Sequence, residues 1–312
     1  MPFLPVGGQA VIEGVMMRSP SRMAVAVRRP DGTLAFLERP FVSITKRVKP
    51  LGWPVVRGAI SLFETIGLGV SALNFSAEEA VRAESPGAQA KASAAQQVLQ
   101  FAALAVSLLL GVLLFVVVPA RVTAALGFHQ HLSFGLVDGL FRMLALLLYL
   151  LLISQWKEMR RVLGFHGAEH KSLHALERGA PLTPESVRTF SRFHPRCGTS
   201  FLFLVVLVSV VLFSLIGRPR GLGDHLLRVA CMPLIAGIAF EFVRLSGKHA
   251  DRPLVRALVW PGLQFQRFTT REPDLEMCAV AIAALERVRD DEAVLAAERA
   301  VPGALRDMAF IQ

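Results

Sequence analysis

The sequence predicts a mainly α-helical, polytopic membrane protein with about four transmembrane helices and a small cytoplasmic α+β cap. Three observations carry that prediction. Mean hydropathy is +0.50 and 53% of the 312 residues are hydrophobic, more than a soluble domain of this size carries. Charged residues make up only 19% and are clustered. Several uncharged stretches are long enough to cross about 30 Å of hydrocarbon as helix.

Net charge is +10, but the basic residues flank apolar segments, which favours anionic lipid over nucleic acid as their partner. The single Tyr and scattered Phe residues offer no basic–aromatic platform for bases, so no nucleic acid is expected. Three cysteines, Cys197, Cys231 and Cys278, make no disulfide framework. The start, MPFLPVGGQAVIEGV, lacks a basic stretch followed by an apolar core, so no signal peptide is expected.

Residues 1–54 read as a small N-terminal β-hairpin module. Ala24–Arg29 and the segment from Thr33 onward flank a Pro30-Asp31-Gly32 turn, and Gly7, Gly8 and Gly14 mark sharp turns or close approaches. In 55–97, Ile60, Phe63, Ile66, Val70 and Leu73 recur at helical spacing. This predicts an amphipathic helix on the membrane surface or packed on the bundle, rather than a span, followed by a Ser/Ala/Gln-rich linker. Residues 98–156 hold spans 1 and 2, Val98–Val118 and Gly135–Gln155. Residues 199–245 hold spans 3 and 4, Thr199–Ile216 and Leu226–Leu245, the last interrupted by Pro233. Between them, 157–198 is a strongly basic motif loop. The tail, 246–312, carries a helix from about Asp274 to Arg299 whose apolar side is Leu275, Ala279, Ile282, Leu285, Val288 and Leu295; it is expected to dock on the cap or on a protein partner. Lys and Arg concentrate at the N-terminal region, the central loop and the tail, so both termini are expected in the cytoplasm of a multi-pass cell-membrane protein.

The chemistry-bearing run is His166-Gly167-Ala168-Glu169-His170. H-x-x-E-H on a helix puts two imidazoles one turn apart beside a carboxylate, which is metal-ligand spacing and the order found in inverzincin peptidases. His174 continues the same face. His194 and Cys197 lie just before span 3, and Glu241 and His249 at the same end of span 4, where helix ends of a bundle meet. Taken singly, each has a plainer role: polar surface for the histidines, helix-start punctuation for His194-Pro195-Arg196-Cys197, and an i,i+3 pair with Arg244 for Glu241. His129, His131 and His225 belong to the opposite end, and Cys231 and Cys278 read as packing. The chain has no phosphate-binding glycine loop, serine-hydrolase elbow or C-x-x-C pair.

Gly7-Gly8-Gln9-Ala10-Val11-Ile12-Glu13-Gly14-Val15-Met16-Met17-Arg18, Phe165–Lys171, His194–Ser200, Gly262-Leu263-Gln264 and Thr269–Asp274 together resemble the bacterial YqhQ-like membrane proteins, in the same order and over nearly the whole chain. That family is catalogued as a domain of unknown function and as predicted metal-dependent enzymes. The resemblance implies that the Gly7–Arg18 motif belongs with the site, with Glu13 and Arg18 as candidates.

The leading expectation is a metal-dependent enzyme, a hydrolase at the cytoplasmic membrane surface. His166 and His170 would hold a divalent ion, zinc by preference, with a third ligand from His194, Cys197, Glu241 or His249. Glu169 would be general base on a water activated by the ion, and Lys171, Arg196 and Lys248 would hold an anionic substrate. The alternatives are a non-enzymatic membrane scaffold or assembly factor and, with less support, a transporter or channel using Glu241.

Overall fold

The computed structural model describes residues 6–84, 94–195, 197–248 and 253–289. Strands β1 (Gly7–Val11), β2 (Gly14–Arg18), β3 (Arg22–Arg28) and β4 (Leu34–Pro40) form an antiparallel meander in that order. The Pro30-Asp31-Gly32 turn joins β3 to β4, with Gly32 at φ 85° and the Thr33 N–H donating to Asp31 Oδ1 at 2.9 Å. The glycine-bracketed motif is the β1–β2 hairpin, in which Ile12 and Glu13 form the tip and Glu13 takes φ 52°. Gly14 is obligatory there, because a Cβ would stand 2.2 Å from the Ala26 carbonyl.

Helices follow: α1 (Ile44–Arg47), α2 (Val56–Glu84), α3 (Ala94–Val112), α4 (Val118–Ala125), α5 (His131–Ile153), α6 (Lys157–Glu177), α7 (Pro184–Arg188), α8 (Gly198–Ile216), α9 (Leu222–Ala230), α10 (Met232–Lys248), α11 (Pro253–Thr269) and α12 (Leu275–Arg289). A π-helical turn, Leu113–Val117, joins α3 to α4 as one rod.

Both faces of the sheet are covered, which explains why Met23–Val27 is apolar throughout instead of alternating with polar residues. Val15, Met17, Ala24 and Ala26 pack on Phe165, Ala168 and Leu173 of α6 and on Cys278, Ala281 and Leu285 of α12. Val11, Met16, Met23, Val25 and Val27 pack on Leu68, Ala72 and Phe75 of α2. The tail helix is therefore a core element of the cap. Ile282, Leu285 and Val288 are buried as expected, whereas Leu275 and Ala279 are exposed, because Met277, Cys278 and Ala281 face the sheet and α6 instead. Leu295 and the rest of the expected helix beyond Arg289 lie outside the described residues.

Five helices, one more than the four counted in the sequence, are long and apolar enough to cross a membrane: Val56–Arg82, Phe101–Ala125, His131–Ile153, Gly198–Ile216 and Leu222–Ser246. The addition is α2. Its large apolar residues Phe63, Ile66, Val70 and Leu73 point outward, while Gly58, Gly69, Ala72 and Ser76 face its neighbours. That is the inverse of a soluble amphipathic helix, and it lets backbones approach closely where lipid is the solvent. The first part of α2 packs through Gly58 on Gly237 and Phe240 of α10, and its last part carries the sheet. In the bundle, α5 meets α8 where Gly135 and Gly139 face Ser214 and Val210. Outward leucines such as Leu108, Leu140, Leu148 and Leu215 give these helices an apolar surface compatible with lipid.

Asp138, Arg142 and Arg228, within the candidate spans, turn inward and pair, which offsets the cost of charge in hydrocarbon. Asp138 meets Arg142 at 3.0 Å and Arg228 at 3.1 Å, and Arg228 also donates to the Gly217 carbonyl. Glu241 is held by Arg57.

Candidate metal centre

The site lies where the cap meets the bundle. α6 presents His166, Glu169, His170, His174 and Glu177 along one side, at the successive-turn spacing that puts residues on a common face. The connection after α7 returns beneath this face, so that His194 and Cys197 stand opposite it, Cys197 capping the start of α8. The end of α11 closes the third side.

Three main-chain carbonyls fix the imidazoles. Nδ1 of His166 donates to the Thr269 carbonyl at 2.7 Å, Nδ1 of His170 to Arg192 O at 2.6 Å, and Nε2 of His174 to Phe193 O at 2.8 Å. A carbonyl only accepts, so each contacted nitrogen carries a ring proton; the other nitrogen of His174 presents a lone pair, while that of His166 is the one turned to the Cys197 sulfur. The same outer contact orients histidines that bind metals. Nε2 of His166 faces the Cys197 sulfur at 3.3 Å, while the buried Nε2 of His170 lies near the same sulfur outside hydrogen-bonding geometry. The ligand atoms of His166, His170 and Cys197 all fall within 4.8 Å of one another, and those of His174, Glu177 and His194 do likewise.

The supporting residues explain the motif spacing. Gly167 lies under the segment that follows α11, where a Cβ would stand 2.0 Å from the Arg271 carbonyl, so only glycine lets Thr269 reach His166. Gln266 clamps His194, accepting from its N–H at 2.8 Å and donating to its carbonyl at 2.7 Å. Gly8 of β1 covers Glu169, and a Cβ there would lie 2.9 Å from the Glu169 side chain.

Electrostatics follow from burial and crowding. Burial opposes charge on His166, but the facing Cys197 sulfur, the hydrogen bond to it and Glu169 outweigh it and push its pKa up to about 9. Burial likewise opposes the Cys197 thiolate, yet His170 and His166 hold this thiol well below the usual range. Glu169 is raised by burial against the pull of His166 and His170, and its Oε2 has no hydrogen-bond partner among the described residues. Burial lowers His174 to about 3, aided by His194, and His194 to about 4.

Of the candidates named from the sequence, His166, Glu169, His170, His194 and Cys197 come together. Glu241 does not join them, because both of its oxygens are taken by Arg57 and the Val55 N–H also approaches. Glu13 caps the hairpin tip in a bidentate pair with Arg161, at 2.5 and 2.6 Å, and Arg18 stacks on Phe41 on the far face of the sheet. Lys171 donates to the Arg188 carbonyl and pairs with Glu272, both at 2.8 Å, so its charge is engaged within the cap. His249, Arg196 and the Lys248 side chain lie outside the described residues. Sequence reasoning missed Glu177, Gln266, Thr269 and the role of Gly167. The signal for Glu177 was its position on the stripe His166, His170, His174.

The motifs, their order and their meeting at one site point to a single family. A family model described as a protein of unknown function, DUF1385, matches residues 53–291. The chain belongs to this family. It is also 32% identical over 306 residues to the uncharacterized protein YqhQ of Bacillus subtilis (strain 168), covering 92% of this chain and 93% of that protein. No solved structure matches it. The DUF1385 match begins after the sheet, whereas the similarity to YqhQ takes in nearly the whole chain.

Proposed function

We propose that this DUF1385 protein is a metal-dependent hydrolase working where its cap meets the membrane. The observation that carries the reading is the orientation of His166 and His170: each has Nδ1 committed to a main-chain carbonyl and turns Nε2 toward the Cys197 sulfur. Zinc bond lengths of ~2.0–2.3 Å put tetrahedral ligand atoms about 3–4 Å apart, and here His166 Nε2 and the Cys197 sulfur are 3.3 Å apart with all three ligand atoms within 4.8 Å of one another. A Cys/His/His donor set of this kind suits zinc, and three protein ligands leave a fourth position for water or substrate. His166 is partly exposed, unlike His170 and Cys197, so access to that position would come from its side.

When bound, the ion would polarise a carbonyl or phosphoryl oxygen and acidify water. Glu169 is the base: raised by burial and with an unpartnered oxygen, it takes the proton as the water oxygen attacks and returns it to the leaving group. The basic N-terminal region, central segment and tail support a cytoplasmic position for the cap. The same net positive charge favours an anionic substrate or lipid headgroup.

The test is turnover of chromogenic carboxylic and phosphate esters by zinc-loaded protein in detergent, with Glu169→Gln beside wild type. The reading expects a fall of about 10²–10⁴-fold in the variant with metal content unchanged. A wild type that binds no metal, or a Glu169→Gln variant of full activity, contradicts it. A scaffold reading has one observation in its favour, the near-complete burial of His170, Glu169 and Cys197. There the same cluster only locks cap to bundle, and no substrate is turned over.

A further inference from the structure

We propose that His174, Glu177 and His194 form a second metal site, one turn further along α6 and deeper than the first, so that the chain holds two divalent ions side by side. The inference extends the metal-centre reading, and its test separates the two.

The argument starts from proton positions. Nε2 of His174 is 2.8 Å from the Phe193 carbonyl, so it carries the ring hydrogen and Nδ1 presents a bare lone pair. Nδ1 is buried, has no hydrogen-bond partner among the described residues, and faces Glu177 Oε2 at 3.9 Å. Two electron-rich atoms turned toward each other in a dry interior repel unless a proton or a metal cation lies between them, and the second is the role this geometry fits. His194 brings Nε2 to 3.4 Å from the same Glu177 oxygen, from a different segment of the chain.

All three side chains are at least nine-tenths buried, with 10%, 6% and 2% of their surface exposed. Two imidazoles and a carboxylate are a donor set that zinc and related ions accept. All three of its residues are buried, which makes this the closed site of the pair, while His166 of the first site is partly exposed. His170 and His194 stand between the two groups with ring centroids 5.7 Å apart, so an ion at either site acts on the other. The inner ion also ties α6 of the cap to the segment that starts α8.

Zinc per chain, measured by plasma mass spectrometry on the full chain in detergent after loading and gel filtration, tests this. The expected values are two for wild type, one for Glu177→Gln and His174→Ala, one for Cys197→Ser, and none for His174→Ala combined with Cys197→Ser. One ion in wild type, lost in Cys197→Ser and kept in Glu177→Gln, overturns the second site and leaves the first standing. One ion lost in Glu177→Gln and kept in Cys197→Ser supports the second site and removes the first. A metal-free wild type overturns both. If the variants fail to fold, stepwise zinc titration of apo wild type decides, with saturation at two equivalents in support and at one or none against.

Discussion

Nε2 of His166 lies 3.3 Å from the Cys197 sulfur, across 31 residues that include two helices and two turns. The contact joins the cap to the first residue before a candidate span. It is made possible by Gly167, by the Thr269 carbonyl behind the ring, and by the position of Cys197 as the cap of α8.

Glu241 is a partner of Arg57 and not a ligand, so Glu241→Gln should leave zinc content unchanged. It should instead loosen α2 from α10, costing on the order of 1–3 kcal/mol as Arg57 loses a charged partner. Thermal melting beside elemental analysis checks both halves. Loss of metal with intact stability would return Glu241 to the site.

Gly167→Ala should destabilise the cap by about 1–3 kcal/mol and weaken zinc binding, because the new Cβ drives the Arg271 carbonyl away and drags Thr269 with it. Gly7→Ala meets nothing within 4 Å and is the control, with an expected change near zero. Denaturant melts and zinc competition measure the pair.

The tail helix is core, not appendage. Leu285→Ala, fully buried between the sheet and α6, should cost about 2–5 kcal/mol. Glu286→Ala, exposed on the same helix, should cost less than about 0.5 kcal/mol. Equal effects would mean that α12 is not packed as described.

Metal-free protein should lose stability on acidification. His174, held at about 3, and His194, held at about 4, stay neutral in the fold while the unfolded chain takes up protons near 6.5. Their contribution is complete above pH 6.5 and is lost as the pH falls through that window, on the order of 2 kcal/mol per histidine by pH 5. His166, pushed up to about 9, has the opposite sign: its contribution is full below pH 6.5 and lost as the pH rises through 9. Melting temperature against pH, with His174→Gln flattening the acid limb, reads this directly.

The fold class was legible because membrane spans and an H-x-x-E-H helix are written in local spacing. The Pro30-Asp31-Gly32 turn was legible for the same reason. The helical spacing in α2 and its packing on the bundle were legible, but not that Phe63, Ile66 and Val70 face outward while Gly58, Gly69, Ala72 and Ser76 meet its neighbours, since spacing alone does not say which face is covered. The meeting of His166 with Cys197 was suggested by topology, but Gln266 and Thr269 reach the site through long-range packing that no spacing encodes. Glu241 failed as a ligand because its partner, Arg57, is 184 residues away.

The measurement that bears most directly on the central claim is the absorption spectrum of the cobalt-substituted protein in detergent. A thiolate held with two imidazoles on one ion predicts a sulfur-to-cobalt charge-transfer band in the near ultraviolet and visible bands of tetrahedral intensity, with the charge-transfer band lost in Cys197→Ser. Absence of that band from wild type, or its survival in Cys197→Ser, would contradict a metal centre built on His166, His170 and Cys197.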